Sequence, residues 1–367
     1  MEIALSYQRF DYNKPTTHLY HIHVTMTSPD NPTLPSPPFY THIPNINNLR
    51  LATYSLTTKS GSTLRPGILF RSAEVASLDT AGWTAVHDIG VGHVFDLRSK
   101  PEVEKGWAGI VGQDATGKAD FRPGWIQAME EAGVKRTWTP VFSDKDYSPE
   151  RLAERYSNYM DEDVKGFVEA YASILTDGGK AYGTILRYLA SLPPADGTSN
   201  NGEEGEKIGA LIHCTAGKDR TGIFFGLLFD LLGVPREQIA DEYQLTELGL
   251  RPLRDEIVER LLMSPGFRKY MLAQSTGRAL SKEEMAKIIR GDDGAGSDAE
   301  EFPPEILEKG RQAALRMVSS RKESMLASLD MLDERFGGAE RYMREVCGLD
   351  DEELQSLRRN LVVESAR

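Results

Sequence analysis

Apolar residues along the chain take two forms: short runs rich in β-formers, and longer stretches spaced three and four apart. The short runs Ile68-Leu69-Phe70, Val91 to Leu97, Thr137 to Phe142 and Ile208 to Ile212 predict strands. The longer stretches predict helices over 77–89 (from Ser77 to a stop near Gly90), 149–160, 162–176, 180–191, Ile223 to Leu232 and 304–335. Asp177-Gly178-Gly179 reads as a break between two of them, and Gly337-Gly338 as the stop of the last. Met and Leu positions within 315–332 recur at helical spacing and read as core. Strands alternating with helices predict an α/β fold. Its central sheet is mainly parallel and flanked by helices, and its C-terminal part is helical. Such sheets bind ligands beyond the carboxyl ends of their strands.

The periodicity fades in four places. Residues 1–44, rich in Pro, Ser, Thr and Asn from 29 onward, read as an extended or disordered arm. Residues 101–135 mix Gly, Trp and charge without a period and read as an insertion over the site. Two further insertions are read near 193–206 and 275–305, the latter including the Gly, Asp and Ser of 291–300. The remainder, 45–367, reads as a single domain without internal repeats.

Between the Ile208–Ile212 run and the helix after it lie ten residues, His213-Cys214-Thr215-Ala216-Gly217-Lys218-Asp219-Arg220-Thr221-Gly222. A strand, a tight loop and a helix N-terminus in that order turn backbone N–H groups inward, and the helix dipole adds positive potential there. The stretch Thr215, Ala216, Gly217, Lys218, Asp219 and Arg220 thus predicts a cradle for an anion with three or four oxygens. A thiol at its base is pushed toward thiolate, the form that attacks. Cys214 reads as a nucleophile and Arg220 as a planar fork on two anion oxygens. Gly217 allows a turn that a Cβ would block. Thr221 reads as a hydroxyl donor to the Cys214 sulfur, and His213 as support from behind. A buried structural cysteine needs no such loop. Asp96 and Arg98 end another strand run, and topology places them on the same sheet edge.

The loop resembles that of the cysteine-dependent protein tyrosine phosphatases, in the branch reading His-Cys-x-Ala-Gly-Lys-Asp-Arg-Thr-Gly. That branch includes bacterial phosphatases of phosphotyrosine, phosphoserine/threonine and phosphoinositides, with fungal relatives. Other patches agree: Arg65-Pro66-Gly67-Ile68-Leu69-Phe70-Arg71-Ser72, Val94-Phe95-Asp96-Leu97-Arg98-Ser99, Leu232-Gly233-Val234-Pro235, and Phe336-Gly337-Gly338 to Leu349-Asp350. The resemblance runs in patches from about Asn45 to about Leu361. One segment departs: Asn48-Leu49-Arg50-Leu51-Ala52-Thr53 lacks the family's acid and glycine. The resemblance implies a tyrosine phosphatase-like fold and hydrolysis of phosphate monoesters through a phosphocysteine on Cys214, with no cofactor or metal. The implied partner is a phosphorylated protein or a phosphoinositide.

The proton donor is the open position. No Trp-Pro-Asp tripeptide occurs. Asp219, inside the loop, is the chosen candidate, and it reads equally as a structural carboxylate bonded to loop amides or a neighbouring cation. Asp96 reads more as an ion-pair partner that positions Arg98 or the loop, and Asp144 and Asp146 as solvated turn residues. Lys218 reads as a cation facing substrate charge, such as extra phosphates on an inositol ring, or as a solvated side chain. Cys347 reads as a buried apolar residue.

Composition narrows the setting. A net charge of −12 argues against nucleic acid as partner. The longest apolar run, Gly222 to Val234, contains Asp230 and is too short for an integral membrane segment. Peripheral membrane contact stays compatible. Met1-Glu2-Ile3-Ala4-Leu5 lacks the pattern of a signal peptide. Cys214 and Cys347 are the only cysteines, so no disulfide framework forms, and a catalytic thiol favours the reducing cytoplasm. Two other readings share a cysteine in an anion cradle. A sulfurtransferase or arsenate reductase is opposed by the Gly217, Arg220 and Thr221-Gly222 pattern. A non-hydrolysing phosphate-binding module is opposed by the intact Cys214 and Arg220.

Overall fold

A computed structural model describes residues 34–105, 123–143, 151, 155, 158–160, 164–195, 206–263, 267–268, 271, 281, 283–284, 287 and 302–364. Its strands are β1 (Arg50–Leu51), β2 (Thr63–Leu64), β3 (Leu69–Ser72), β4 (Val91–Asp96), β5 (Lys135–Trp138), β6 (Gly209–His213) and β7 (Val362–Val363). Five of them form one sheet in the order β1-β3-β6-β4-β5. The pairs β3–β6, β6–β4 and β4–β5 are parallel, and β1 joins the edge antiparallel to β3. This is the mainly parallel sheet expected. A small antiparallel pair, β2–β7, ties Thr63-Leu64 to Val362-Val363.

The strands alternate between two apolar layers, as their period of two dictates. Leu69, Phe95, Ala210 and Ile212 face one core, and Phe70, Val94 and Leu211 face the other. The first core is covered by α4 (Val164–Ala190), α5 (Asp219–Leu231), α6 (Arg236–Gln244), α10 (Lys322–Phe336), α11 (Ala339–Glu345) and α12 (Asp351–Leu361). The second lies under α1 (Thr80–Asp88) and α3 (Gly124–Glu131). A third apolar cluster joins α8 (Arg251–Met263) to α9 (Pro304–Val318) through Ile257, Val258, Leu261, Ala313 and Ala314, with Met160 added. Two short helices, α2 (Lys100–Lys105) and α7 (Thr246–Gly249), complete the described set.

Four differences from the sequence reading have physical causes. First, the predicted break at Asp177-Gly178-Gly179 is absent, and α4 runs through it unbroken. A Cβ at Gly179 would lie 2.6 Å from the Val346 carbonyl oxygen, and one at Gly183 2.6 Å from that of Cys347. These glycines admit a neighbouring backbone. Each glycine costs a helix about 1 kcal/mol, against about 1.5–3 kcal/mol gained for each fully buried large apolar side chain. Phe167, Leu175, Ile185, Leu186 and Leu189 are all fully buried, so burial wins. Second, the 304–335 helix is two helices with extended backbone at Ser319. Glu247 accepts from the Ser320 N–H, and Ser319 Oγ donates to the Arg316 carbonyl. Tertiary contacts and serine, not glycine or proline, make that break.

Third, residues 101–135 contain two helices, α2 and α3, though 106–122 lie outside the described residues. Fourth, packing begins ahead of Asn45. Phe39 and Ile43 are buried, Phe39 bridges to Arg50, and the Arg50 guanidinium lies 5.6 Å from the Phe39 ring centre. Other elements are met within a residue or four, the strand expected over Thr137 to Phe142 running instead over Lys135–Trp138 and the helix expected from Ile223 beginning at Asp219. α1 starts after Asp79, whose carboxylate accepts from the Gly82 N–H at 2.8 Å. Helix α10 ends at Gly337 in the left-handed region, φ 74°. The 1–33 part of the arm, most of the 149–160 helix, and the loops at 196–205 and 291–300 lie outside the described residues.

Register places chemistry at one edge. Ser72 and Asp96 both pair with His213, and Trp138 pairs with Asp96. The carboxyl ends of four parallel strands therefore lie level, and Cys214 follows directly from the central one.

Candidate active site

The loop between β6 and α5 is held by its carbonyls. The Thr215 carbonyl accepts from the Glu74 N–H at 3.0 Å. That of Ala216 accepts from Asn48 Nδ2 at 3.1 Å, and that of Gly217 from Arg71 Nη2 at 2.8 Å. In a trans peptide the following N–H points opposite to the carbonyl. Three carbonyls bound to the surrounding fold therefore turn the N–H groups of Ala216, Gly217 and Lys218 to the other side of the loop. Gly217 has φ 63°, and a Cβ there would collide with the Ser72 carbonyl. Cys214 is 2% exposed, at the base.

Behind the loop runs a buried charge set. Glu242 of α6 takes Arg50 Nε at 2.8 Å and Arg71 Nη1 at 2.5 Å. Arg50 also donates to Thr246 Oγ1 at 3.0 Å, to the Glu242 carbonyl at 3.0 Å, and to Asn48 Oδ1. Burial lowers the Arg50 pKa to about 9 despite Glu242 beside it. Removing one member of such a set strands a buried charge, at about 3–5 kcal/mol. The loop is thus held in shape before any ligand arrives. Asn48 and Arg50 belong to the segment that departs from the family pattern. They support the loop without the missing acid and glycine.

Arg220 is fixed by a residue the sequence reading passed over. Glu102 of α2 accepts from Arg220 Nη1 at 2.7 Å and Nη2 at 2.6 Å. It also accepts from Thr215 Oγ1 at 2.7 Å and from the N–H and hydroxyl of Ser99 at 3.0 and 2.9 Å. A signal for it existed. Ser99-Lys100-Pro101-Glu102 has the S-x-x-E spacing of a helix start, within a stretch read as aperiodic.

Asp96 is fully buried, bonded by Arg98 through Nε and Nη2 at 2.9 Å each and by Arg136 at 2.8 Å. Burial alone would raise its pKa. His213, Arg98 and Arg136 outweigh burial and hold the carboxylate far below the usual range. It carries no proton to give near neutrality and acts as the anchor of Arg98. That guanidinium reaches on to Glu74 at 3.2 Å.

His213 Nδ1–H donates to the Cys214 carbonyl at 3.3 Å, an acceptor that fixes the tautomer. Burial lowers the His213 pKa to about 4, with Arg98 and Arg136 adding to it, although Asp96 at 3.6 Å pulls upward. As pH falls from about 6.5 toward 4, the unfolded chain therefore takes up a proton that the folded chain refuses. Stability falls across that window. Urea unfolding at pH 7 and 4.5 should show a steeper loss for wild type than for His213→Asn. Equal losses would clear His213 of the effect.

Asp219 opens α5. Its Oδ1 accepts from Tyr171 Oη at 3.2 Å and lies 3.4 Å from Lys218 Nζ. Its side chain is 23% exposed, so it meets solvent while Asp96 does not. Tyr171 and Tyr243 share a 2.6 Å hydrogen bond beside it. Burial first pushes both tyrosine pKa values well up, with Tyr243 and Asp219 adding to it at Tyr171; at Tyr243 Asp219 adds to it while the bond to Tyr171 pulls down. Lys218 is buried rather than solvated, and its Nζ donates to the carbonyls of Met317 at 2.5 Å and Ser319 at 3.2 Å. The expected Thr221 bond to the Cys214 sulfur is not formed, and Thr221 Oγ1 is buried without a partner. Asp144 and Asp146 lie outside the described residues. Cys347 is buried as read, and burial pushes its thiol up to about 12.

Among the described residues, no helix is long and apolar enough to cross a membrane. A family model described as the tyrosine phosphatase family matches residues 41–363. The triple specificity protein phosphatase PtpB of Mycobacterium tuberculosis is 29% identical over 215 residues, 55% of this chain and 69% of that protein. A tyrosine-protein phosphatase of Nostoc commune is 24% identical over 288 residues, 78% of this chain and 72% of that protein. The chain belongs to the tyrosine phosphatase family and is a phosphatase of phosphate monoesters.

Proposed function

We propose that the chain removes phosphate from phosphotyrosine, and also from phosphoserine, phosphothreonine or phosphoinositides, with Cys214 as nucleophile, Arg220 as phosphate grip and Asp219 as general acid. The observation that carries this is the loop itself. The Thr215, Ala216 and Gly217 carbonyls are bonded to the surrounding fold, which supports a reading of the three following N–H groups as anion donors beside the buried Cys214, and Glu102 holds both Nη atoms of Arg220. The Cys214 sulfur attacks phosphorus, and the ester oxygen leaves with the Asp219 proton. A water then attacks the phosphocysteine, gives its proton back to Asp219, and inorganic phosphate departs with the sulfur restored as thiolate. The N–H groups and Arg220 stabilise the equatorial oxygens as charge shifts. Asp96, deprotonated and enclosed, leaves Asp219 as the remaining candidate among the described aspartates weighed for this role. The triple specificity named for the mycobacterial relative supports the wider substrate range. A free-thiol nucleophile works in a reducing compartment, which supports the cytoplasm as its setting.

Released phosphate should be measured over phosphopeptides and phosphoinositides, with thiosulfate and arsenate as controls. Turnover of the controls without phosphate release would overturn the reading. Asp219→Asn tests the acid. Alkyl leaving groups need a proton far more than a nitrophenolate does. The variant should lose roughly a hundredfold on phosphoserine yet little on para-nitrophenyl phosphate, and its pH–rate profile should lose the basic limb. Equal losses on both esters would move the role elsewhere.

A further inference from the structure

Lys218 sits within the loop, yet its ammonium is spent on the fold. A lysine ammonium has three N–H donors. Three acceptors surround Nζ: the Met317 carbonyl at 2.5 Å, the Ser319 carbonyl at 3.2 Å and Asp219 Oδ1 at 3.4 Å. Its side chain is 3% exposed, and it lies 5.2 Å from the Phe167 ring centre and 5.5 Å from that of Tyr159. The two carbonyls belong to the end of α9 and the residue just past it. A helix leaves its last carbonyls unbonded there and its dipole is negative. A cation at that spot caps the helix. Helix α9 also carries the third apolar cluster, with α8. The one ammonium therefore joins the catalytic loop, the Asp219 carboxylate and a separate helical unit.

We propose that Lys218 is a positioning residue. It latches the loop to the α9–α10 junction and holds Asp219 at its working angle, and it does not read charge on the substrate. The latch rests on the assignment of Cys214 and Asp219 above. Loss of the ammonium frees the Asp219 carboxylate from one of its two partners and uncaps α9. The site keeps its N–H groups and Arg220, so phosphate is still bound while the proton is delivered less well. The defect should thus follow the leaving group, not the number of phosphates.

The test compares wild type with Lys218→Met and Lys218→Arg. Substrates are a series of phosphate esters of rising leaving-group pKa, and inositol phosphates bearing one or three phosphates. For Lys218→Met, the loss in kcat/KM should be about tenfold greater on an alkyl ester than on para-nitrophenyl phosphate, a partial loss of general-acid catalysis. Lys218→Arg should recover part of it. The ratio of kcat/KM between triply and singly phosphorylated inositols should stay within about twofold of wild type. A collapse of that ratio, or an equal loss on every ester, overturns the latch. Should Lys218→Met fail to fold, pulsed reductive methylation of wild type decides. Lys218 should be among the slowest lysines to react, with inorganic phosphate present or absent. Rapid labelling that phosphate suppresses would show a substrate-facing cation. Methylation needs no turnover, so failure of the latch and failure of the catalytic assignment remain distinguishable.

Discussion

Cys214→Ser should abolish turnover while phosphate esters still bind. The serine hydroxyl is almost the size of the thiol, and the groups proposed to hold the anion are elsewhere: the N–H groups of Ala216, Gly217 and Lys218, and the fork of Arg220. Their geometry is set by Asn48, Arg71, Glu74 and Glu102, none of which touches the sulfur through the bonds described. A hydroxyl in that field remains protonated and does not attack. Calorimetry with a phosphopeptide should give an affinity near that of wild type, and the phosphate assay should read background. Full activity in the variant would sink the covalent mechanism. Alkylation supplies an independent check. Iodoacetate, an anion, should inactivate wild type faster than neutral iodoacetamide does, relative to a free thiol, and phosphate should protect. Equal relative rates without protection would mean that no anion cradle surrounds Cys214.

What could be read from sequence, and what could not, divides by the range of the interactions concerned. The strand end, turn and helix start that His213 to Gly222 form were legible because those features are local. The runs behind β3, β4 and β6 were legible because a strand buried on both faces is apolar throughout. The course of α4 was not. Gly178-Gly179 signals a break locally, and only the arrival of Val346 from far along the chain makes it a packing surface. The break at Ser319 was hidden for the converse reason, since its cause lies in Glu247 and Lys218. Glu102 stands 118 residues from Arg220, and Glu242 stands 171 from Arg71. No periodicity links such pairs, although Ser99 and Glu102 did carry a helix-start signal. Lys218 shows the same limit within the motif itself. Its neighbours in sequence suggest a ligand, while its neighbours in space are two carbonyls and two rings.

Arg220→Lys should cost roughly two to four powers of ten in kcat, the size of losing a strong transition-state donor. Charge is retained, so the loss measures geometry. A guanidinium can present two parallel N–H groups to phosphate because Glu102 already holds its plane through Nη1 and Nη2. An ammonium is a point charge at the end of a mobile stem. It can meet Glu102 or phosphate at one position, and Glu102, 2% exposed, would draw it strongly. Two causes of the loss can then be separated. If the lysine merely collapses onto Glu102, adding Glu102→Gln should release it and restore much of the rate. If the fork itself acts on the transition state, the double variant stays as slow as Arg220→Lys alone, and that is the outcome expected. Stopped assays over para-nitrophenyl phosphate and a phosphotyrosine peptide would measure both variants under saturation. A single variant within about threefold of wild type, under ~1 kcal/mol, would mean that Arg220 does not touch the phosphate.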